Sequence, residues 1–224
     1  MCGRMAITLP HDAMAQMFEA TPANDLPHVP NYNVCPTVQI HTVTSAEGER
    51  RLRPMRWGFL PHWYKTTSGG PLLINARAET IAEKPAFRAA ARERRCLIVA
   101  TGFYEWTVTP DKVRLPWYIT RADGTPMAFA GVWQEWERDG EAHTSCAVVT
   151  TGANAQMSQI HHRMPVILDP ADWPLWLGEA GKGAATLMQA APEGAVRFHR
   201  VSRAVNSNRA SGPELIEPLI DDED

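Results

Sequence analysis

The stretch CLIVATGFYEW at residues 96–106 indicates the fold class most clearly. Its first part, Cys96–Ala100, predicts a β-strand, because apolar and β-branched side chains suit a pleated, buried surface. Comparable runs recur along the chain, at Val38–Val43, Leu52–Leu60, Trp117–Thr120, Met127–Trp133, Ser145–Thr150 and Val196–Val201. Many short strands predict a protein built mainly from β-sheet.

Short helical segments are predicted between these strands. They lie at residues 11–20, 80–94, 153–159, 170–177 and 181–192. The Pro-rich stretch from Pro22 to Pro36 predicts an ordered loop. Together the segments indicate one α+β domain over residues 1–220, with largely antiparallel, barrel-like β-sheets flanked by short helices. We expect the acidic tail, residues 221–224, to be frayed.

Composition excludes several classes of protein. The chain has 224 residues, 44% of them hydrophobic, which is enough for a substantial core and argues against disorder. A net charge of -3 argues against coating duplex DNA by bulk charge. The sequence lacks a secretory signal and an apolar run of membrane-spanning length. Four cysteines without a CxxC pair predict reduced thiols in the cytoplasm and no metal or other cofactor.

Cys2 is the most unusual residue. Removal of Met1 ahead of a small residue would give Cys2 a free α-amine beside its thiol. The amine, with a reference pKa of about 7.7–8.0, can condense with an aldehyde, and the thiol can then close a thiazolidine ring. An internal cysteine cannot do this. The alternative is a frayed terminus on which the cysteine is incidental.

Three further segments carry candidate chemistry. Asn75 and Arg77 share one face of a predicted strand end and offer an amide and a phosphate-binding fork. Glu105 lies among aromatic residues, which would raise its pKa and suit proton transfer. His161 is a candidate proton donor, and Arg163 a candidate phosphate ligand. Each has an ordinary alternative: a turn, an exposed edge-strand carboxylate or a solvated loop.

Two residues near these segments affect how they are interpreted. Trp63, in RWGFLPHW at 56–63, would provide a base-stacking shelf if exposed, whereas Trp57 in the same segment is expected in the core. His162 is expected to point away from His161, which makes the pair a poor metal site.

The order of these segments along the chain favours the functional interpretation of each over its ordinary alternative. Eight motifs follow one another along the chain: MCGR at the start, YNVCPT at 32–37, RWGFLPHW at 56–63, NARAET at 75–80, GFYEW at 102–106, TTGAN at 150–154, HHRMP at 161–165 and VSRAVNSNRASGPELIEP at 201–218. As a set they resemble the SRAP family, the SOS-response-associated peptidases or abasic-site processing proteins. The resemblance spans nearly the whole chain.

The resemblance implies a covalent crosslink to DNA. Cys2 matches the residue that forms a thiazolidine with the ring-opened abasic deoxyribose in single-stranded DNA, which shields the lesion from strand cleavage. By the same match Asn75, Glu105 and His161 are catalytic. The matched DNA-binding positions are Arg4, Trp63, Arg77, Trp106 and Arg163. The implied partner is abasic single-stranded DNA, including single-strand/duplex junctions, with nucleoid association during action on DNA.

Two departures and two alternatives remain open. Cys35 stands where the family often has Ala, and we expect a small buried residue there, although a disulfide with Cys2 is conceivable. His162 stands where an acidic residue is common. A cysteine peptidase using Cys2, Glu105 and His161, at least to remove Met1, is one alternative. A single-stranded-DNA binding module, in which Cys2 is incidental, is the other.

Overall fold

The architecture follows from strands that are apolar on both faces. A computed structural model describes residues 2–219. The strands are β1 Met5–Ile7, β2 Ala20–Pro22, β3 Asn31–Val34, β4 Gln39–Ala46, β5 Glu49–Trp57, β6 Asn75–Arg77, β7 Arg95–Ala100, β8 Gly102–Val108, β9 Arg114–Arg121, β10 Met127–Arg138, β11 Glu141–Gly152, β12 Arg163–Pro165 and β13 Val196–Arg200. The α-helices are α1 His11–Phe18, α2 Arg88–Glu93, α3 Ala155–Ser158 and α4 Trp173–Leu177. Short 3-10 helices occupy Pro170–Asp172, Ala184–Leu187, Arg203–Asn206 and Pro213–Ile216.

A closed barrel forms the centre of the molecule. Its strands follow the order β11-β10-β7-β4-β5, and β5 returns to β11 through a parallel pairing of Cys146 with Trp57. The other barrel pairings are antiparallel. Closure needs a close approach of β7 and β10, and Gly131 permits it, since a Cβ there would lie 2.8 Å from Cys96 Sγ. The prediction of an α+β domain with largely antiparallel, barrel-like sheets is therefore confirmed.

A second antiparallel sheet packs beside the barrel in the order β13-β9-β8-β1-β3. Its outer face buries Tyr104 and Tyr118 against the segment around Val201, Val205 and Leu215. The short β6 pairs in parallel with β11. Strand β6 of the barrel sheet and strand β8 of the second sheet thus approach the start of the chain from two sides.

Several predicted boundaries are wrong, each for a local reason. Only Arg88–Glu93 of the predicted helix 80–94 is α-helical; Pro85 cannot donate a backbone hydrogen bond and disfavours helix in the preceding residue. The predicted helix 181–192 reduces to the 3-10 turn Ala184–Leu187, because Gly181 and Gly183 take positive φ angles of 88° and 121°.

The ordered loop predicted from Pro22 to Pro36 contains strand β3, whose Val34 pairs with Met5. The strand predicted to reach Leu60 ends at Trp57, because Gly58 has a φ of 138°. The predicted tail at 221–224 lies outside the described residues. No helix within residues 2–219 is long and apolar enough to cross a membrane.

Candidate active site

Cys2 lies in the interior of the protein. Its side chain is only 1% exposed and belongs to the main hydrophobic core. The following residues are held by backbone hydrogen bonds from Tyr104 N to Arg4 O and from Thr101 N to Ala6 O. From Cys2 onward, the start of the chain is therefore ordered, and the reading of Cys2 as part of a frayed end is wrong.

Asn75 connects Cys2 to the barrel. It begins β6, which is fixed in register on β11 through the pairing of Asn75 with Val148. Its Nδ2 donates a hydrogen bond to the carbonyl oxygen of Cys2 at 3.1 Å. Its Oδ1 is buried and has no hydrogen-bond partner among the described residues. A buried acceptor of this kind can receive a hydrogen bond from a bound molecule.

Glu105 comes from the second sheet and is 2% exposed. Gly102 lets β8 begin close to β9, since a Cβ at this position would lie 2.6 Å from Ile119 O. Burial raises the pKa of Glu105 to about 7, against the opposing positive charges of the N-terminal amino group and Arg114. At neutral pH this carboxyl group is poised to release or accept a proton.

The pKa of the Cys2 thiol is shifted upward, whereas a reactive thiolate needs a lowered pKa. Burial, followed by the negative charge of Glu105, raises the pKa of Cys2 far above its ordinary value. The sulfur is therefore protonated at neutral pH. Nucleophilic cysteines that attack first as thiolates have lowered pKa values.

His161 follows the short helix α3, which Asn154 caps by accepting a hydrogen bond from Met157 N at 2.8 Å. The backbone N–H of Arg163 donates to His161 Nδ1 at 3.0 Å. Burial lowers the pKa of His161 below its ordinary value, and the N-terminal positive charge adds to this effect. The imidazole is thus neutral near pH 7. Its Nδ1 also lies 3.2 Å from Arg163 O, to which the other tautomer would donate.

His162 does not point away from His161, so that prediction is wrong. The two rings stack, with centroids 4.4 Å apart and planes inclined by 26°. The turn after α3 brings both side chains to one side of the chain. Among residues 2–219, no group of three or more His, Cys, Asp or Glu side chains is arranged to hold a metal ion.

The four residues predicted to be catalytic share one site, called here the Cys2 site: Cys2, Asn75, Glu105 and His161. A hydrogen bond joins Cys2 to Asn75. The charge of Glu105 acts on the pKa of Cys2. The N-terminal charge acts on the pKa values of Glu105 and His161. Residues from both sheets and from the turn after α3 therefore meet at the beginning of the chain.

The three predicted phosphate-binding arginines differ in their surroundings. Arg77 is exposed at the end of β6, two residues after Asn75. Arg163 is held by Glu79, with Nη1–Oε1 and Nη2–Oε2 distances of 2.7 and 2.9 Å. Arg4 is partly buried, and its Nη1 donates to Asn33 Oδ1 at 2.6 Å and to Val205 O at 2.8 Å. Only Arg77 of the three has an exposed guanidinium without such ties in the described residues.

The two predicted aromatic contacts also differ. Trp63 is 45% exposed, whereas Trp57 is fully buried, as expected for each. Trp106 is partly buried, and its Nε1 donates to Asn206 Oδ1 at 2.6 Å. The guanidinium carbons of Arg4 and Arg114 lie 5.8 and 4.8 Å from the Trp106 ring centroid.

Comparison with known proteins gives the family. The profile of the SOS response associated peptidase (SRAP) family matches residues 1–208. The chain belongs to the SRAP family. It is 35% identical to the abasic site processing protein YoqW of Bacillus subtilis, over 97% of this chain and 99% of that protein. It is 30% identical to the abasic site processing protein YedK of Escherichia coli, over 98% of this chain and 100% of that one.

A solved structure has the same SRAP-type fold. The crystal structure of a protein from Bacteroides thetaiotaomicron superposes with a TM-score of 0.85 at 23% identity, covering 98% of this chain and 100% of the other. At this identity the likeness concerns the fold alone. It agrees with the arrangement of barrel and second sheet described above.

Sequence reasoning missed three residues that shape the site of this SRAP protein. Asn33 anchors Arg4, and Glu79 neutralises Arg163. Both stand inside quoted motifs, YNVCPT and NARAET, so the motifs contained the signal. Arg114 stands outside every motif, and only its contact with Trp106 reveals it.

The outcome for Cys35 is mixed. Cys35 is partly exposed rather than buried, and its Sγ lies 3.6 Å from Asn33 O. Cys2 and Cys35 are both free thiols, so no disulfide joins them.

Proposed function

We propose that this protein processes abasic sites in single-stranded DNA by bonding covalently to the lesion through Cys2, in the cytoplasm and on the nucleoid. The observation that carries the proposal is the burial of Cys2 within a site of three proton-handling or hydrogen-bonding side chains. The names of the SRAP relatives, abasic site processing proteins, supply the substrate class.

The chemistry begins with removal of Met1, which gives Cys2 a free α-amine. The abasic deoxyribose opens to its aldehyde, and the amine adds to C1′ to form a carbinolamine. Loss of water gives a Schiff base. Cys2 Sγ then adds to the same carbon, and its proton passes to the nitrogen, which closes the five-membered thiazolidine. The net reaction joins protein and DNA with the release of one water molecule.

Each other residue of the Cys2 site is assigned a step of the reaction that suits its protonation state or hydrogen bonds. Glu105, with a pKa of about 7, delivers the proton that lets the carbinolamine hydroxyl leave as water. His161, as a neutral imidazole, exchanges a proton with the sugar oxygen during ring opening. Asn75 holds the Cys2 carbonyl through Nδ2 and presents Oδ1 to the amine or a sugar hydroxyl. Proximity of amine, thiol and aldehyde contributes several kcal/mol, up to about 7–11 kcal/mol in well-oriented systems.

A protonated, buried sulfur suits this order of events. The amine reacts first, and the thiol is needed only when an electrophilic carbon is already held beside it. Ring closure consumes the Schiff base, the species from which β-elimination would cut the strand. A cysteine peptidase instead needs an ionised sulfur before substrate bonding, and burial of Cys2 opposes that ionisation. This contrast favours aldehyde capture over the peptidase alternative.

The DNA strand would contact the cationic and aromatic residues beside the Cys2 site. Arg77 is exposed two residues after Asn75, and Arg163 lies on β12, which pairs with β11 as β6 does. Trp63 presents nearly half of its ring to solvent, which suits stacking with an unpaired base or the end of a duplex. These residues would contact phosphates and base faces rather than base edges, so binding should depend little on base sequence. A duplex end also offers a base face for stacking, so the proposal includes single-strand/duplex junctions.

The decisive experiment uses untagged protein and a single-stranded oligonucleotide with one abasic site. We expect an adduct that survives a denaturing gel, with the summed mass of protein without Met1 and DNA less one water. Cys2→Ala is expected to form none. Cys35→Ala, which removes the one cysteine of the four that is not buried, is the matched control and should react like the parent protein.

The same experiment separates the alternatives. A full-strength adduct with Cys2→Ala, or with a protein that retains Met1, would overturn the proposed chemistry. Equal binding of intact and abasic DNA without any adduct would indicate a noncovalent binding module. Cleavage of a peptide in trans that depends on Cys2 would indicate a peptidase.

A further inference from the structure

The second sheet carries an exposed cation beside the Cys2 site that no sequence motif marked. We propose that Arg114 is an additional phosphate-binding residue for the DNA strand, with Trp106 as the platform that orients it. This inference rests on the proposed function, because it names a further contact for the same substrate. It also gives Trp106 a different role from the direct DNA contact expected from the sequence.

The position of Arg114 supports a direct role at the substrate. Arg114 begins β9 and pairs with Val108 at the end of β8, the strand that carries Glu105. Its side chain is exposed, and its guanidinium carbon lies 4.8 Å from the Trp106 ring centroid. Trp106 directly follows Glu105 in the sequence. Because side chains alternate along a strand, Arg114 and Trp106 lie on the face of β8 opposite to Glu105, yet the charge of Arg114 still reaches that carboxylate.

Trp106 is held as a support rather than left open as a stacking surface. Asn206 accepts a hydrogen bond from Trp106 Nε1 at 2.6 Å and donates through Nδ2 to Arg114 O at 3.2 Å. Arg4 also approaches the ring, and Asn33 and Val205 hold its guanidinium in place. An arginine stacked on a fixed ring loses less conformational freedom when it binds a phosphate.

The distribution of cations also requires a contact on this side. Arg77 and Arg163 both belong to strands of the barrel sheet, and the carboxylate of Glu79 neutralises Arg163. Arg114 belongs to the other sheet and makes no ion pair within residues 2–219. A strand whose sugar enters between the two sheets carries phosphates on both sides of the lesion. Since Arg77 and Arg114 are exposed and belong to different sheets, the proposal assigns one phosphate to each.

The charge of Arg114 also reaches the reacting groups. It lowers the pKa of Glu105, against the larger effect of burial. Removing that charge is therefore expected to raise the pKa of Glu105. This pKa reports how near the charge of Arg114 lies to Glu105, whereas the salt dependence of DNA binding reports the phosphate contact itself.

The test compares Arg114→Gln and Arg114→Lys with Arg138→Gln. Arg138 is a matched control because it is an exposed arginine far from the site. It ends β10 and pairs with Glu141 at the start of β11, whereas Thr150, which contacts Arg163, lies near the other end of β11. The readout is binding of an intact single-stranded oligonucleotide over a salt series, with thermal unfolding of each variant as a check on folding.

Loss of one phosphate contact is expected to reduce the slope of log K against log salt by about 0.7 in Arg114→Gln. Arg114→Lys retains the charge and should retain the slope, and Arg138→Gln should match the parent. The pH at which the crosslinking rate changes should move upward in Arg114→Gln only. Parental slope and pH profile in Arg114→Gln would overturn the inference.

Failure of this inference is distinguishable from failure of the proposed function. If Arg114→Gln behaves like the parent while adduct formation still requires Cys2, only the role of Arg114 is wrong. If Cys2→Ala forms the adduct, the proposed chemistry is wrong whatever the salt slopes show.

Discussion

Asn75 Nδ2 donates a hydrogen bond to the carbonyl oxygen of Cys2 at 3.1 Å, and this contact ties the start of the chain to the barrel. The two residues are separated by 73 positions in the sequence. Strand β6, which carries Asn75, is itself fixed on β11. The position of the proposed nucleophile is therefore determined by the barrel and not by its terminal neighbours alone.

Loss of this tether should both slow the chemistry and weaken the fold. Asn75→Ala leaves the buried Cys2 carbonyl without its donor, which costs about 1–3 kcal/mol of stability. We expect crosslinking to slow by roughly tenfold or more, because the amine and aldehyde are less well oriented. Asn75→Asp keeps the shape but removes the donor, and should be similarly slow. A parental rate of adduct formation in both variants would contradict the assigned role.

Glu105 should make stability fall as pH rises. Its folded-state pKa of about 7 lies above its ordinary value of 4.5, so the native carboxyl group retains a proton that the unfolded chain releases. Stability is therefore lost between about pH 4.5 and pH 7. Glu105→Gln should remove this dependence and raise the free energy of unfolding at pH 8 by roughly 2–3 kcal/mol.

Urea unfolding at pH 5 and pH 8 measures this effect. Glu93→Gln, a change at an exposed carboxylate on α2, is the control and should show no such difference. An identical loss of stability between the two pH values in Glu105→Gln and the parent would show that the Glu105 carboxyl does not retain its proton. The Gln variant should also form the adduct slowly, because the amide cannot deliver a proton.

The Glu79–Arg163 pair should restrain DNA binding. Glu79 holds both terminal nitrogens of Arg163, and phosphate must compete for them. Glu79→Ala is expected to tighten binding of single-stranded DNA at low salt and to steepen its salt dependence. Since the Glu79 side chain is 51% exposed, stability should change by no more than about 1 kcal/mol. Fluorescence anisotropy with labelled DNA tests this, and weaker binding would mean that Glu79 chiefly positions Arg163.

Substitutions of Trp63 and Trp57 should have different effects, the first on DNA binding and the second on the stability of the fold. Trp63 is 45% exposed, so Trp63→Ala should weaken DNA binding by about 1–3 kcal/mol while leaving the melting temperature nearly unchanged. Trp57 is fully buried and donates to Ile74 O at 3.1 Å. Trp57→Ala should destabilise the protein by about 3–5 kcal/mol. Unchanged DNA affinity in Trp63→Ala would remove the stacking shelf from the proposal.

The long strands were predictable because their side chains are consistent with burial over many residues. Met127–Trp133 and Ser145–Thr150 fall within β10 and β11, which extend beyond them. The short strands β1 and β3 were not predictable, because a few residues carry little periodicity and their pairing with each other depends on tertiary contact. The helix predicted over 80–94 fails mainly at Pro85, a signal that was present in the sequence.

The motifs predicted which four residues the structure brings into one region, but not the contacts among their neighbours; their catalytic roles stay a prediction. The order of the motifs brought Cys2, Asn75, Glu105 and His161 together. No sequence pattern showed that Arg163 is bound to Glu79, a residue 84 positions away. Nor could it show that a turn stacks His161 on His162. Such contacts depend on where folded strands end, which local propensity does not determine.

The bond from Arg4 to Val205 spans 201 positions of the chain. During translation Cys2 therefore leaves the ribosome long before the residues that fix its neighbour Arg4 are made. Until they arrive, Arg4 lacks its backbone acceptor and the outer face of the second sheet lacks its cover of Val201, Val205 and Leu215. The nascent chain thus acquires the complete hydrogen-bonded support of Arg4 only after Val205 has left the ribosome.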